Sequence, residues 1–268
     1  MNASRLVPLI FLLGCAAKLG TDEPAPSNAS SQWRQLLERA VTEDGRVRYG
    51  LLQQERSTLE GYMAWIAGHG PIADAYPYSK EDRSIAFMAN AYNAAVLYGV
   101  LANQPIDSVL DVRIGLFRSP PGAGFFAGQQ FRVDEQWVNL YTLEHQYLLS
   151  QYEDPLIHVM LNCASVGCPP LRYWKERQLD HQVEQAMTSF LDSPQGIRKE
   201  ADGAFAITEL FFWYADHFED WSSSDSVCEF LAPYAGQDAR TWLLEEHDAG
   251  CAPRTLSYDW SLNAAPED

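Results

Sequence analysis

A histidine and a cysteine lie close together in the central stretch Pro155–Leu171, which reads PLIHVMLNCASVGCPPL. His158 is the only titratable group in the apolar run Leu156–Leu161, and Cys163 follows shortly after that run. A thiolate is a strong nucleophile, but a free cysteine has a pKa near about 8.5 and needs a neighbouring base or cation to ionise at neutral pH. Cys163 and His158 are therefore a candidate nucleophile and general base for cleaving an amide or ester bond.

Glu144 is the candidate third member of this arrangement. It lies in a predicted helix, Leu140–Leu149, that follows the candidate N-cap Asn139. A carboxylate can orient a catalytic histidine and stabilise its charged form. Adjacent helical positions point about 100° apart, so we expect at most one of Glu144 and His145 to face a site. The sequence does not decide between His158 and His145 as the base.

The long helix predicted over Asp82–Leu101 carries two amide side chains, Asn90 and Asn93, about one turn apart. Buried amides are costly unless they find hydrogen-bond partners. In one interpretation they fasten neighbouring backbone. In the other, Asn90 lines the site and stabilises an oxyanion, a role that backbone amides near Ala164 and Ser165 could also take.

Cys168 supports two competing interpretations. It could pair with Cys163 in a disulfide, which would leave a structural bridge in place of a nucleophile. The two cysteines could instead bind zinc together with His158, with His145 as an optional fourth ligand, although H-x4-C-x4-C lacks the close C-x2-C spacing of ordinary zinc modules. If the thiol is free, Cys163 is the nucleophile and Cys168 and Ser165 support it. Dinucleotide, Walker A, serine-esterase and zincin motifs are absent, so we predict neither a cofactor nor a metal.

The first residues of the chain read as a targeting segment. An arginine and the apolar run Leu6–Leu13 predict a signal peptide over residues 1–14, which is too short to span a membrane as a mature helix. Leu12–Cys15 resembles a bacterial lipobox, so we predict lipid attachment at Cys15. The residue after Cys15 is Ala16 and not aspartate, a pattern that resembles the outer-membrane sorting signal of lipoproteins in Gram-negative bacteria. The expected location is the periplasmic side of that membrane; an ordinary signal peptide or a misassigned start is the alternative.

Composition and patterning predict one folded domain after this leader. Residues 15–31 read as the lipidated cysteine and a flexible tether, residues 32–263 as a single domain with no internal repeat, and 264–268 as a tail. The net charge of −17 disfavours nucleic-acid binding. The remaining cysteines, Cys228 and Cys251, are our favoured disulfide in an oxidising compartment. Leu156–Leu161 is predicted to be a buried strand, and Phe125–Phe126 part of a hairpin.

Four other stretches join the H-x4-C-A-S-x2-C-P-P-L run in resembling the DUF547 family, a domain of unassigned function. They are Asn90–Ala94, Leu143–His145, Phe212–Tyr214 and Tyr258–Asn263. We expect the family resemblance to extend over about Trp33 to Asn263. The resemblance implies a relationship to papain-like and transglutaminase-like cysteine hydrolases, and so an α+β domain with a mostly antiparallel sheet packed by several helices.

The resemblance also bears on the roles of individual residues. The order Glu144, His158, Cys163 inverts that of papain-like enzymes, which implies a permuted topology. Plant members of the family keep the first cysteine and carry serine at the second, which favours Cys163 as the nucleophile and Cys168 as its support. This chain has Gly167 where serine is common. We therefore expect an envelope hydrolase or acyl-transferase acting on a peptide or envelope substrate; the alternative is a non-catalytic interaction module with bridged cysteines.

Overall fold

The computed structural model describes residues 17–20, 24–74, 78–114 and 119–266, so the predicted signal peptide and Cys15 lie outside the described part of the chain. The helices are α1 (Ala29–Ala40), α2 (Tyr49–Gln54), α3 (Arg56–Ala67), α4 (Glu81–Asn103), α5 (Ala123–Phe126), α6 (Leu140–Thr142), α7 (Ser150–Tyr152), α8 (Leu179–Leu191), α9 (Glu209–Trp213), α10 (Ala215–Asp220), α11 (Val227–Leu231) and α12 (Gln237–Asp248). A π-helical segment, Leu143–Leu149, joins α6 to α7. Short 3-10 segments lie at Val109–Asp111, Pro155–Val159, Glu176–Gln178 and Ala232–Tyr234.

Helix α4 is the centre of the core. Its residues are buried without interruption from Ser84 to Leu101. Within the described residues it is long and apolar enough to cross a membrane by length and composition, but 94% of that stretch is buried inside the protein. An apolar surface all around a helix is typical of one enclosed by its neighbours. Helix α4 is therefore the core helix. The π-helical segment and the loop of residues 160–171, called the central loop below, pack against it.

The strands form two small mixed sheets. In the first, β2 (Gln129–Val133) pairs with β3 (Gln136–Val138) antiparallel and with β1 (Ala17–Leu19) parallel. In the second, β5 (Phe205–Thr208) pairs with β4 (Ile197–Lys199) antiparallel and with β6 (Arg254–Leu256) parallel. The α+β prediction is confirmed, but the mostly antiparallel sheet is wrong. Each hairpin gives one antiparallel pair, and each third strand arrives from a distant part of the chain, where no tight turn dictates its direction.

Two predicted strands are helical turns in the structure. Pro155–Val159 is a 3-10 segment, because Asp154 caps it by accepting the Leu156 N–H at 2.8 Å and Pro155 fits the first turn. Phe125–Phe126 belongs to the short helix α5. Apolar periodicity cannot separate a short buried strand from a short buried helix, which explains both errors.

Part of the predicted tether has regular structure. Ala17–Leu19 forms β1 on the edge of the first sheet, with the Ala17 N–H donating to the Gly128 carbonyl at 3.1 Å, and α1 already begins at Ala29. The segment 254–263 has little regular structure. Only Arg254–Leu256 is a strand, and Leu262 makes an isolated antiparallel bridge with Ser165.

Candidate functional site

A cavity of about 320 Å³ lies where the central loop, the π-helical segment and the C-terminal segment around Tyr258 and Trp260 meet. Glu144, His145, His158, Cys163 and Cys168 all line it. The other polar or aromatic residues at its wall are Tyr92, Phe126, Tyr141, Trp213, Tyr214, Tyr258 and Trp260. The structure therefore gathers the thiols, the imidazoles and the carboxylate named from the sequence around one space.

Buried asparagines hold the loop that carries both cysteines. Asn162 donates its Nδ2–H to the Pro169 carbonyl at 2.8 Å, and its Oδ1 accepts the Ala164 N–H at 2.9 Å. Asn263 also donates its Nδ2–H to that oxygen, at 3.2 Å. Ala164 has a φ of +63°, a left-handed conformation that is unfavourable for a residue with a Cβ. The amide contacts keep this backbone in place, and with it the position of Cys163.

Cys163 and Cys168 form a disulfide, with their Cα atoms 6.4 Å apart. Cys163 is half-buried, whereas Cys168 is buried. The Cys163 N–H donates to Cys168 Sγ at 2.9 Å, and Tyr258 Oη lies 3.1 Å from Cys163 Sγ and 2.9 Å from Cys168 Sγ. Disulfide sulfurs carry no hydrogen, so the phenol is the donor, and its single hydrogen is shared between the two sulfurs. In this form Cys163 is not a free nucleophile.

His158 pairs with a second histidine that the sequence analysis did not single out. Its Nε2 lies 2.9 Å from His217 Nδ1, and its ring packs against Tyr214 at a tilt of 31°, with 4.0 Å between the ring centres. Burial, aided by His217 and His145, lowers the pKa of His158 to about 3. Burial also lowers the pKa of His217, whose ring stacks on Trp221. Both imidazoles are therefore neutral near pH 7.

Glu144 does not orient His158 directly. Its carboxylate accepts hydrogen bonds from Tyr92 Oη at 3.2 Å and from Tyr214 Oη at 3.1 Å. Burial, followed by the charge of Glu144, raises the pKa of both phenols, so they remain protonated donors. Because the Tyr214 ring also packs against His158, it links the carboxylate to the imidazole. Sequence analysis named Tyr214 only within a family motif and gave it no role, so it missed this link.

The expectation that Glu144 and His145 could not both face one site is wrong, since both line the cavity. The reason is the π-helical segment Leu143–Leu149, whose wider turn reduces the angle between neighbouring side chains. His145 Nδ1 lies 3.1 Å from the Tyr141 carbonyl oxygen, and the two rings stack with 4.0 Å between centres. Such π insertions are frequent at functional sites.

The cavity wall can now be compared with known families. Residues 78–191 match the family model described as "Protein of unknown function, DUF547". The matched segment contains Glu144, His158 and both cysteines of the cavity. It ends before Tyr214 and Tyr258, which complete the wall. A search of the curated proteins and a search of the solved structures each gave no match.

Asn90 also lies in the DUF547 match, but it does not line this cavity. Its Nδ2–H donates to the Trp174 carbonyl at 2.8 Å and its Oδ1 accepts the Trp174 N–H at 2.9 Å. Of the two interpretations of Asn90, these contacts support the one in which its amide fastens neighbouring backbone. Asn93 does the same for the Asn162 N–H, at 2.9 Å. Ser165 is buried beside the disulfide, with its Oγ 3.5 Å from Cys163 Sγ.

A second disulfide lies beyond the DUF547 match. Cys228 and Cys251 are bonded, with their Cα atoms 5.7 Å apart, and neither lines the cavity. The zinc alternative has no support from the part of the chain that the structure describes, where no group of three or more His, Cys, Asp or Glu side chains could hold a metal ion. His217, Tyr214 and Tyr258 were missed because their neighbouring aromatic residues resemble a core segment.

Proposed function

We propose that the chain is an envelope-anchored cysteine hydrolase or acyl-transferase, with Cys163 as its nucleophile after reduction of the bond to Cys168. The supporting observation is that Cys163, His158 and Glu144 line one cavity although they come from separate elements. Nucleophilic catalysis needs a thiol, a base and a group that positions the base around one space. Two thiol reductants, or one dithiol, would supply the electrons that free the Cys163 thiol.

In the proposed reaction, His158 takes the Cys163 proton and the thiolate attacks an amide or ester carbonyl. The imidazole then returns the proton to the leaving amine or alcohol, and water or an acceptor nucleophile resolves the thioester. A neutral imidazole suits this role, since it can accept a proton at neutral pH. The negative thiolate would raise the low pKa of His158, because an opposite charge nearby favours the charged imidazole.

Two groups take roles different from those first expected. Glu144 acts as a positioning residue, because Tyr214 donates to it and its ring packs against His158. The Cys163 N–H is the candidate oxyanion donor, since it donates to Cys168 Sγ in the disulfide form and becomes available once the reduced Cys168 thiolate has taken up a proton. A papain-like or transglutaminase-like relationship, with the order of residues permuted, fits this assignment of roles but stays part of the proposal.

The proposed setting is the periplasmic side of the outer membrane, with a lipid anchor on Cys15 and a peptide or envelope substrate. The lipobox-like sequence supports the anchor. Labelling cells with radioactive palmitate tests it. The intact chain should incorporate label and sediment with membranes, and Cys15→Ala should abolish both; an unlabelled intact chain would contradict the anchor.

The hydrolase is tested on the reduced chain. After treatment with dithiothreitol and its removal, iodoacetamide should alkylate Cys163 faster than the other thiols, and p-nitrophenyl acetate should be turned over. Cys163→Ala should lose turnover, whereas Cys168→Ser should make turnover independent of reductant. Equal turnover by the reduced wild type and Cys163→Ala would refute the nucleophile.

A non-catalytic envelope module is the second candidate, and the disulfide at the cavity favours it. A bridged Cys163 cannot attack a carbonyl, and the pair would then hold the central loop against Tyr258. This candidate predicts that Cys163→Ala and Cys168→Ala together complement a deletion strain as well as the wild-type chain does. Failure of the double variant to complement, despite normal abundance and folding, would exclude it.

A further inference from the structure

The two sulfurs of the cavity disulfide differ in accessibility. Cys163 is half-buried at the cavity wall, whereas Cys168 retains 7% of its surface. Thiol–disulfide exchange begins when a thiolate attacks one sulfur and displaces the other. An external thiol entering the cavity therefore meets Cys163 Sγ first, and Cys168 Sγ is the sulfur that is displaced.

The displaced sulfur has hydrogen-bond donors already in place. The Cys163 N–H and Tyr258 Oη each lie 2.9 Å from Cys168 Sγ. Burial, followed by the charges of Glu144 and Asp259, raises the pKa of Tyr258, so its phenol stays protonated and can donate. Hydrogen bonds to an ionised group are stronger than those to a neutral one. These donors would stabilise the departing thiolate, and a thiol of lower pKa leaves faster.

From this asymmetry we infer that the Cys163–Cys168 disulfide is an exchange site for thiols of other molecules. A thiolate attacks Cys163 Sγ, so a mixed disulfide forms and the Cys163–Cys168 bond breaks, with the electron pair leaving on Cys168. A second thiolate of the donor attacks its own sulfur in the mixed disulfide and releases Cys163. The donor dithiol is oxidised to a disulfide, and both cysteines of the chain end reduced, each taking a proton.

The loop that carries the two cysteines should keep its conformation when the disulfide is reduced. Asn162 ties both ends of the cysteine loop through the Ala164 N–H and the Pro169 carbonyl, and these bonds do not involve sulfur. The reduced sulfurs therefore stay near each other and can re-form the bond. The exchange is independent of the proposed acyl chemistry, because it requires only an incoming thiol at Cys163.

The partner is a cysteine-containing peptide or protein segment. Trp213 is 46% exposed at the cavity mouth, and it stacks on Trp260 with 5.8 Å between ring centres. Exposed aromatic rings beside a reactive sulfur offer apolar contact area to the side chains that flank an incoming cysteine. A free small thiol would lack these contacts and should react more slowly than a peptide with an aromatic residue beside its cysteine.

The test uses the full chain and its second disulfide as an internal standard. The oxidised protein is incubated with reduced glutathione, quenched with acid, alkylated with N-ethylmaleimide and mapped by mass spectrometry. We expect Cys163–Cys168 to be reduced at least about tenfold faster than Cys228–Cys251 in the same molecules. In Cys168→Ser, the free Cys163 thiolate should instead attack oxidised glutathione, so that one glutathione is trapped on Cys163 and the other leaves as a thiol. Equal reduction rates for the two pairs would overturn the proposal.

Two further comparisons complete the test. Tyr258→Phe keeps the ring but removes the donor, and should slow reduction of the cavity pair by about tenfold without changing the rate of the Cys228–Cys251 pair. A Cys-Trp dipeptide should react faster than Cys-Gly in the wild type but not in Trp213→Ala. No effect of Tyr258→Phe would overturn the leaving-group assignment. Because the readout is sulfur mapping, it stands whether or not p-nitrophenyl acetate is hydrolysed.

Discussion

The two disulfides of this chain share a local pattern and differ in what surrounds them. In each, the N–H of the first cysteine donates to the sulfur of the second, at 2.9 Å for Cys163 to Cys168 and 3.1 Å for Cys228 to Cys251. The first pair is separated by 5 residues and the second by 23. The first lines a cavity beside a phenol donor, whereas Cys228 is fully buried in the apolar core.

This difference indicates that the surroundings of a disulfide, not the bond itself, decide whether it is reactive or structural. The Cys228–Cys251 pair ties α11 to the loop that leads into β6; Cys251 is half-buried like Cys163, but neither sulfur of this pair lines the cavity beside a phenol donor. The Cys163–Cys168 pair closes a loop that Asn162 already holds, so the bond adds little constraint to the folded chain. We therefore expect the first pair to be reactive and the second to be structural.

The largest expected effect is loss of stability on removing the structural pair. Cys228→Ala with Cys251→Ala should lower the free energy of unfolding by about 3 kcal/mol, because the closed loop is of moderate length. Cys163→Ala with Cys168→Ala removes the bond that closes a much shorter loop, and should lower the free energy of unfolding by about 2 kcal/mol. Urea unfolding of each double variant measures both. A larger loss on removing the cavity pair would contradict the assignment of Cys228–Cys251 as the structural pair.

Asn162→Ala should have an effect nearly as large. The change leaves the Ala164 N–H, the Pro169 carbonyl and the Asn263 amide without their shared partner. Buried groups left unpaired cost about 1–3 kcal/mol each, so we expect a total of about 3 kcal/mol after partial relaxation. Hydrogen exchange should rise in the central loop and not in α11. Equal protection of the loop in the variant would show that the disulfide, not the amide, holds it.

The sequence predicted much of the local structure that carries this site. The apolar residues of α4 and α8 recur at helical spacing, and Asp202-Gly203 between β4 and β5 is typical of a hairpin turn. The thiols, Glu144 and His158 were recognisable because few residue types do nucleophilic chemistry. These features depend on neighbours along the chain, which one sequence displays directly.

The missing parts depend on contacts between distant segments. His217 meets His158 across 59 positions, and Tyr258 meets Cys163 across 95. No spacing rule links such residues, and their aromatic neighbours indicated a core. The π-helical segment that lets Glu144 and His145 face one cavity has no clear pattern either. Parallel addition of β1 and β6 likewise follows from where distant strands arrive.

Acid should loosen the cavity before it affects the second pair. Burial holds the pKa of His158 at about 3 in the folded chain, below its ordinary value of 6.5. A depressed folded pKa stabilises the fold above the unfolded value, and that stability is lost as pH falls from about 6.5 toward 3. Between pH 7 and pH 5 this amounts to about 2 kcal/mol, and His217 acts in the same direction.

Urea unfolding of the wild type and His158→Gln at both pH values checks this expectation. The variant should lose most of the acid dependence, since the difference between the two chains cancels the carboxylates that both contain. Hydrogen exchange at pH 5 should increase first in Pro155–Val159 and only later in α11. Simultaneous loosening of both regions would mean that the two disulfide sites form one cooperative unit and do not respond to acid separately.

The smallest predicted change in stability sharpens the comparison most, because it moves Tyr258 without altering a cysteine. A Cβ on Gly167 would lie 2.9 Å from Tyr258 Cδ2 and 3.1 Å from the Asp259 nitrogen. Gly167→Ala should therefore push the phenol away from the sulfurs, at a cost of about 1 kcal/mol in unfolding free energy.

If Tyr258 stabilises the departing Cys168 thiolate, Gly167→Ala should slow reduction of the cavity pair toward the rate of Tyr258→Phe. The Cys228–Cys251 rate should not change. Gly50→Ala is the matched control, since nothing lies within 4 Å of a Cβ at that position and alanine favours the helix. It should keep both reduction rates and stabilise the fold slightly. Unslowed reduction in Gly167→Ala would mean that exchange at the cavity depends on the exposure of Cys163 alone.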